Sequence, residues 1–578
     1  MSMNISKKET ELYRKFKRVS VAEFFEKNRH LLGFENSKKD LLITVKELVD
    51  NSLDACEEAG ILPDIKVRID ELKPSIYKVR VEDNGPGIPP DKIPEIYGSF
   101  LFGSKFHRYV STRGKQGIGA SAVVLNGQLT TGKPVKVISK VPGGKAYEFE
   151  IKIDVNKNTP IVIKKKEVDW KKEHGTIVEV TLKANYQKGR QSVDEYIRLT
   201  ALANPHATIV YINPKGEKFV YKRITNNVPK LYETKPHPHG IEIGVLERML
   251  KETSHMTLKE FLIKEFSSIG HKTALEILKK AKLDPNRDPK SLSSKEIEKL
   301  YEAMQETEVR AISAKYVVIL GEELIRDSLI KMFDPEFVAA KTRKPAVYRG
   351  IPFVVEVGLA YGGSIKNFRL LRFANRVPLL YKAGECAITE AVKSINWRRY
   401  GLNGKEGEFP YEPLIIMIHI ASVWIPFTSE SKEAIAPYPE IVKEIKLALK
   451  ETLRELSIYV RKKQSLKYIE QKYKALYGYG LELARYMAKI LDKPENELRV
   501  KIISRIKEEL LKDLVEVLRT VKDIRSLVEE NKITEAKKVL KKMLEDIIKS
   551  KIFTQKEINE LIERALEEIS KTKKIKAK

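Results

Sequence analysis

Cysteine is nearly missing from this chain: its 578 residues include two, Cys56 and Cys386. Their separation suits neither a disulfide framework nor the short spacing of a zinc site, so a reducing, cytoplasmic setting is expected. Long apolar runs are also missing, which excludes a membrane-spanning helix. The basic opening MSMNISKKETELYRKFKRVS has no apolar centre, so no secretion signal is expected. No glycine-rich loop closes on Gly-Lys-Ser/Thr, which excludes the P-loop type of nucleotide site. No Asp-x-Asp pair occurs, so the chain offers no candidate for the clustered acidic ligands of a metal-dependent nuclease centre.

Positive charge is abundant. Lys and Arg number 107 against 79 Asp and Glu, a net charge of +28. That excess points to a polyanionic partner, nucleic acid before a membrane surface; the alternative is charge that serves solubility alone. With 42% hydrophobic and 32% charged residues, the composition is that of a soluble globular protein. The length suggests about three to five domains.

The stretch Lys39 to Gly60, KDLLITVKELVDNSLDACEEAG, has apolar residues at helical spacing. Asn36 and Ser37 can cap its start, and Gly60 followed by Pro63 can stop it. Glu47 and Asn51 are one turn apart, roughly 40° around the axis, and off the apolar stripe. A carboxamide oxygen there can hold a hard cation, and the carboxylate can take a proton from an attacking water. A solvated polar face is the plain alternative. Next come two alternating stretches, DIKVRIDEL and IYKVRVED, expected as strands. The second runs into Asp83-Asn84-Gly85-Pro86-Gly87. Asp83 can accept a hydrogen bond from a base amine while Gly85 and Gly87 let a ring approach the backbone; Asn-Gly is equally a hairpin-turn signal. Then Gly114-Lys115-Gln116-Gly117-Ile118-Gly119 leads into an apolar helical run from Ala120. Glycines before a helix start expose N–H groups at its positive end, a cradle for phosphates, with Ser104 and Lys105 placed to assist.

In this order the three motifs resemble the ATP-binding fold shared by gyrase, heat-shock-90-type chaperones, histidine kinases and mismatch-repair ATPases, the GHKL or Bergerat-fold superfamily. The resemblance implies that Glu47 is the general base and that Asn51 holds Mg²⁺. It puts Asp83 and Gly87 at adenine, helped by Thr176. Gly114, Lys115, Gln116, Gly117, Ile118, Gly119, Ala120 and Ser121 become a lid over the triphosphate of ATP, with Ser104 and Lys105 beside it. ELVDNSLDA, VEDNGPGIPP, STRGKQGIGASAVVL and KPHPHG are similar, more narrowly, to the B subunits of archaeal-type topoisomerase VI, a type IIB DNA topoisomerase family. This closer likeness runs from about Ser20 to about residue 475.

The family likeness implies an α+β multidomain chain. Its parts are an N-terminal arm and Bergerat-type α/β sandwich ATPase domain (1–236) and a helix–two-turn–helix domain (237–308). A ribosomal-protein-like α/β transducer with a long C-terminal helix (309–475) and a helical charged extension (476–578) follow. KPHPHG reads as a linker, its two histidines lacking a third metal ligand. MTLKEFLIKEF, HKTALEILKKA and SSKEIEKLYEAM read as three helices with a basic face, a DNA contact or a solvated spacer. FRLLRFANRVPLLY reads as a strand pair, and PLIIMIHIAS as a buried strand reached by a crossover. Lys432 matches the lysine that reaches the γ-phosphate in the family. The long helix is expected over Pro439 to about Tyr473, and the final KTKKIKAK is expected as a disordered tail. Further implied are an ATPase subunit working in a heterotetramer with a DNA-cleaving A subunit, self-dimerisation on ATP binding through the N-terminal domain with exchange of the arm before Phe34, double-stranded DNA as substrate, and no membrane. The alternatives are another clamp ATPase of the superfamily, or a DNA-binding scaffold with an inert nucleotide site.

Overall fold

The computed structural model describes residues 19–103, 108–114, 117–429, 431–519, 532–543 and 554–576. The chain divides into two compact units, one of residues 1–397 with 403–453 and one of 398–402 with 454–578.

The first unit opens with α1 (Val21–Lys27) and α2 (Ser37–Glu58). Asn36 caps α2 by accepting from the N–H groups of Lys38 and Lys39. Then come β1 (Asp64–Lys73), β2 (Ile76–Glu82), α3 (Ile93–Gly98) and α4 (Gly119–Thr131). They are followed by β3 (Val135–Lys140), β4 (Ala146–Asp154), β5 (Thr159–Val168), β6 (Gly175–Lys183), α5 (Val193–Ala203), β7 (Thr208–Ile212) and β8 (Lys218–Tyr221). The strands form one sheet in the order β5-β4-β3-β6-β2-β1-β7-β8, parallel only between β1 and β7. Alternate side chains of β1 and β2 are buried, so one face of the sheet holds a core with α2 and α4. The β1–β2 turn falls at residues 74–75, and Asn84-Gly85 instead leaves the sheet toward α3. The hairpin alternative for that dipeptide is therefore overturned.

A helical segment follows: α6 (Ile243–Glu252), α7 (Leu258–Glu265), α8 (His271–Ala281) and α9 (Ser294–Glu306), around their own core. Sequence reading missed α6. KPHPHG is more than a linker. His237 is buried with Nε2 against the Arg310 carbonyl, and His239 Nε2 meets the Thr307 carbonyl. Burial pushes the His237 imidazole down to about 4, so it stays neutral. The pair ties the two ends of the helical segment together.

The mixed pattern then resumes with α10 (Glu322–Phe333), β9 (Phe337–Thr342), β10 (Ala346–Tyr348), β11 (Ile351–Tyr361), β12 (Arg369–Ala374), β13 (Val377–Pro378), α11 (Ala387–Lys393) and β14 (Leu414–Ser422). The sheet order is β10-β11-β14-β12-β13, with β9 beside β10 on the same edge of β11, paired to its second half, and β12 parallel to β14. β11 and β14 are buried along nearly their whole length, which explains their continuous apolar runs. Leu199, Leu202 and Ala203 of α5 share a core with Ile325, Leu329 and Phe333 of α10, so the two sheets are joined by apolar packing.

The long helix, α12 (Pro439–Leu491), outruns its expected end near Tyr473. Gly478 and Gly480 cost about 1 kcal/mol each but do not break a helix, and no proline intervenes before Pro494. In the second unit, α13 (Glu495–Arg519), α14 (Ile533–Met543) and α15 (Gln555–Lys576) build a core that includes Leu466, Ile469, Tyr473, Leu514 and Leu561. α15 runs through Lys576, so most of the expected disordered tail is helical. The arm before residue 19 lies outside the described residues. Among the described residues, no helix is long and apolar enough to cross a membrane.

Polar burial in the second sheet is concentrated at one cross-strand pair. Glu356 of β11 faces His419 of β14 in register. Its carboxylate accepts from His419 Nδ1 at 2.8 Å, Leu320 N at 2.8 Å, Gly321 N at 2.7 Å and Thr342 Oγ1 at 2.9 Å. Burial would raise this carboxyl, but His419 and the backbone donors hold it below the ordinary value of 4.5. Its contribution to stability is therefore complete above pH 4.5 and is lost as pH falls through the lowered folded value. Glu356→Ala leaves these donors without an acceptor and is expected to cost about 3 kcal/mol, read as a lower denaturant midpoint.

Candidate functional site

Helix α2 carries one end of the site. Glu47 reaches the first turn of α4, where a side-chain carbon on Gly119 would lie 2.1 Å from Glu47 Oε2. Glycine is thus required for the carboxylate to reach the helix start. Lys46 Nζ lies 2.9 Å from Glu47 Oε1 and 3.2 Å from Asp50. Burial would raise the Glu47 carboxyl, but Lys46 and then Lys432 outweigh it and hold the group below its usual range. Asn51, exposed, stands one turn further along, with its amide oxygen toward Gly114. The N–H groups of Gly119, Ala120 and Ser121 begin α4 and have no partner within the helix, which leaves them for an anion. The Ser121 hydroxyl is buried and donates to the Ser99 carbonyl at 2.5 Å, so only its backbone N–H can serve a phosphate. Gly117 and Ile118 lead into the helix, Gly117 with a left-handed φ of 56°. Ser104, Lys105, Lys115 and Gln116 lie outside the described residues.

The other end is built on Asp83, buried at the exit of β2. Its carboxylate accepts from Ser52 Oγ at 2.8 Å, Gly85 N at 2.9 Å and Thr176 N at 3.1 Å. Burial pushes this carboxyl up, against those hydrogen bonds. Thr176 also pairs its hydroxyl with Ser139 at 3.1 Å. Gly87 has φ 73°, and a side-chain carbon there would lie 2.0 Å from the Lys140 carbonyl. Only glycine lets that loop press against β3.

Lys432 comes from the loop after β14, in a left-handed conformation with φ 53°. Its Nζ donates to the Arg113 carbonyl at 3.4 Å, just before the lid. The neighbouring Glu433 pairs with Lys39 at the start of α2 at 2.6 Å, and both are buried. A cavity of about 330 Å³ opens among Lys46, Arg113, Asn375, Thr428 and Lys432. Of its cations, Arg113 is already bound by Asp54 and Glu57 and Lys46 by Glu47 and Asp50.

Several contributors escaped sequence reading: Ser52, Asp54, Arg113 and Glu433. Asp54 accepts from Arg113 N at 3.3 Å and Gly114 N at 3.1 Å, fixing the first glycine of the lid. The available signal was the row Asp50, Asp54 and Glu57, carboxylates at helical spacing that fold inward and need cations.

Fold and site together define an ATPase of the kind shared by histidine kinases, gyrase B and heat-shock-90-type proteins, coupled to a second α/β domain. Comparison with known families agrees. Residues 36–157 match the model for histidine kinase-, DNA gyrase B- and HSP90-like ATPases. Residues 313–472 match the model for the topoisomerase VI B subunit transducer. The B subunit of type 2 DNA topoisomerase 6 from Archaeoglobus fulgidus is 47% identical over 85% of this chain and 82% of its own length. That of Methanosarcina mazei is 47% identical over 84% of this chain and 79% of its own. That of Pyrococcus horikoshii is 39% identical over 88% and 98%, respectively. The chain belongs to this family, the B subunits of type 2 DNA topoisomerase 6.

Asp83→Ala removes the acceptor shared by Ser52, Gly85 and Thr176. Titration with a fluorescent ATP analogue is expected to show affinity reduced at least about 100-fold, since three donors of the site are left without their acceptor.

Proposed function

We propose that this chain is the ATP-binding and hydrolysing subunit of a type IIB DNA topoisomerase, which relaxes supercoiled DNA by driving one duplex through a transient break in another. The observation that carries this reading is the meeting of Glu47, the α4 N-terminus and Lys432 at one place, on a chain of this family. Asp83 accepts from the adenine amine, and the N–H groups of Gly119, Ala120 and Ser121 take the phosphates. Lys432 supplies positive charge to the γ-phosphate and carries its position to the second sheet. Glu47, ionised, takes the proton of the attacking water.

Among the described residues no three His, Cys, Asp or Glu side chains cluster as a metal cage. One exposed amide oxygen beside a phosphate cradle suits a small hard cation that keeps waters and phosphate oxygens as its other ligands. Asn51 is the residue that would hold Mg²⁺, which supplies charge neutralisation to the phosphates when bound.

Two exposed apolar faces support the assembly. Phe24, Leu101 and Phe102 are exposed around the Phe25–Phe100 ring contact beside the lid, a surface for a second copy of the chain when ATP is bound. Leu476, Tyr479, Leu483, Tyr486 and Ile490 form an exposed stripe on one face of α12, where the DNA-cleaving A subunit docks. The A subunit supplies the nuclease centre for which this chain has no Asp-x-Asp candidate.

Glu47→Ala is expected to bind ATP within about threefold of the parent chain and to hydrolyse it about 10²–10⁴-fold more slowly. Unchanged hydrolysis would remove Glu47 from the role. In the parent chain, turnover should hold as pH falls from neutral and drop only below 4.5, because the Glu47 carboxyl is held under that ordinary value. Leu483→Asp should weaken capture of the A subunit at least about tenfold while leaving nucleotide binding intact.

A further inference from the structure

A buried charge cluster behind the nucleotide pocket is not used in the steps above. One oxygen of Glu57, Oε1, accepts from Arg113 NH2 at 2.7 Å, from Arg376 NH1 at 2.7 Å and from His206 Nε2 at 2.9 Å. Arg113 immediately precedes the lid and also bonds Asp54 at 2.8 Å and Asn204. Arg376 comes from the other sheet, at the tip of the β12–β13 hairpin. There Asn375 and Arg376 both adopt left-handed φ values, 45° and 68°.

The backbone of that tip is held as firmly as its side chain. Arg376 N donates to His419 Nε2 at 3.0 Å, and His419 in turn contacts Glu356 at 2.8 Å. Asn375 joins Ser111 and Thr112 to Ser422 at the end of β14. A continuous buried polar path thus runs from the centre of the second sheet to the residue before the lid.

The path is under-satisfied. Glu57 Oε2, Arg113 Nε, and Arg376 Nε and NH2 are buried without hydrogen-bond partners. Three donors crowd one carboxylate oxygen while the other accepts none. If the hairpin tip withdrew, Arg113 could turn its fork onto both oxygens of Glu57. The carboxylate is thus shared between the segment before the lid and the hairpin, so a shift of either bears on how the other is held.

We propose that Arg376 is a positioning residue that couples lid closure to the transducer sheet by sharing the Glu57 carboxylate with Arg113. This rests on the reading of an ATP-closed lid given above. It is a second route beside Lys432, which approaches from the loop after β14 and touches the Arg113 carbonyl rather than its side chain.

The test is amide hydrogen exchange on the full chain, with and without a non-hydrolysable ATP analogue and Mg²⁺. In the parent chain, the analogue should slow exchange at least about tenfold both at the start of α4 and at the β12–β13 hairpin. In Arg376→Met, the slowing should persist at α4 and fall below about twofold at the hairpin, and Arg376→Lys should restore it. A merely structural role would loosen both segments equally with or without the analogue. Slowing of the hairpin in Arg376→Met equal to that in the parent chain would overturn the proposal. If Arg376→Met does not fold, Glu57→Gln decides. Loss of the hairpin response with the α4 response kept supports the coupling, and retention of both overturns it. No response at α4 in the parent chain would instead overturn the nucleotide reading itself.

Discussion

Glu57 is a carboxylate with no exposed surface, and the geometry of the nucleotide end depends on how its charge is met. Two guanidinium groups, Arg113 and Arg376, share it with a neutral imidazole, His206. Burial lowers the His206 imidazole, and the two arginines add to that. With Asp54, the cluster holds two anions and two cations away from water, which balances charge but leaves each ion to recover its desolvation through geometry alone. Such a group is a poor source of stability compared with apolar packing of the same volume. Its value lies in direction: Asp54 and Glu57 are fixed on the helix that bears Glu47 and Asn51, so anything that holds Arg113 also sets the lid against that helix.

The Asp83 end of the site is constrained by space. Asp83 sits at the mouth of a strand, and its three donors come from α2, from its own loop and from β6. Around it, side-chain carbons at Gly87 and Gly175 would strike the backbone carbonyls of Lys140 and Asp83 at 2.0 and 2.4 Å. The two ends meet the same helix through Ser52 and Glu47, about one and a half turns apart. One helix thereby sets the distance between Asp83 and Glu47.

The sequence made these local features legible because each has a local cause. Helical period placed Glu47 over Asn51, and left-handed or crowded backbone demanded the glycines. β11 and β14 announced their burial by apolar runs with two ionisable exceptions deep within them, Glu356 and His419, whose partnership only the register disclosed. Asn84-Gly85 was ambiguous because a tight turn and a ligand loop ask for the same residues. The contact between Glu57 and Arg376 spans 319 positions and leaves no trace in either neighbourhood. An arginine after an asparagine reads as an ordinary exposed turn, and tertiary packing, including the shared core between α5 and α10, brings that turn to Arg113. α6 was missed because IGVLERMLKE follows a Pro- and His-rich stretch without a capping side chain, its N-cap making no such bond.

At the hydrolytic end, buried charge also bears on rate. Lys46 and Lys432 keep Glu47 ionised, which on the function proposed above leaves it available as a base at ordinary pH but also weakens it, since a carboxylate held low accepts a proton less readily. Lys432 itself is driven down by burial, with Glu47 opposing that shift, so it is stabilised by whatever anion comes near. On the function proposed above, a triphosphate entering the cavity shares both lysines with Glu47, so the carboxylate stays ionised while the phosphate is held beside it. The charge that captures the phosphate is then the charge that keeps the base ready next to it.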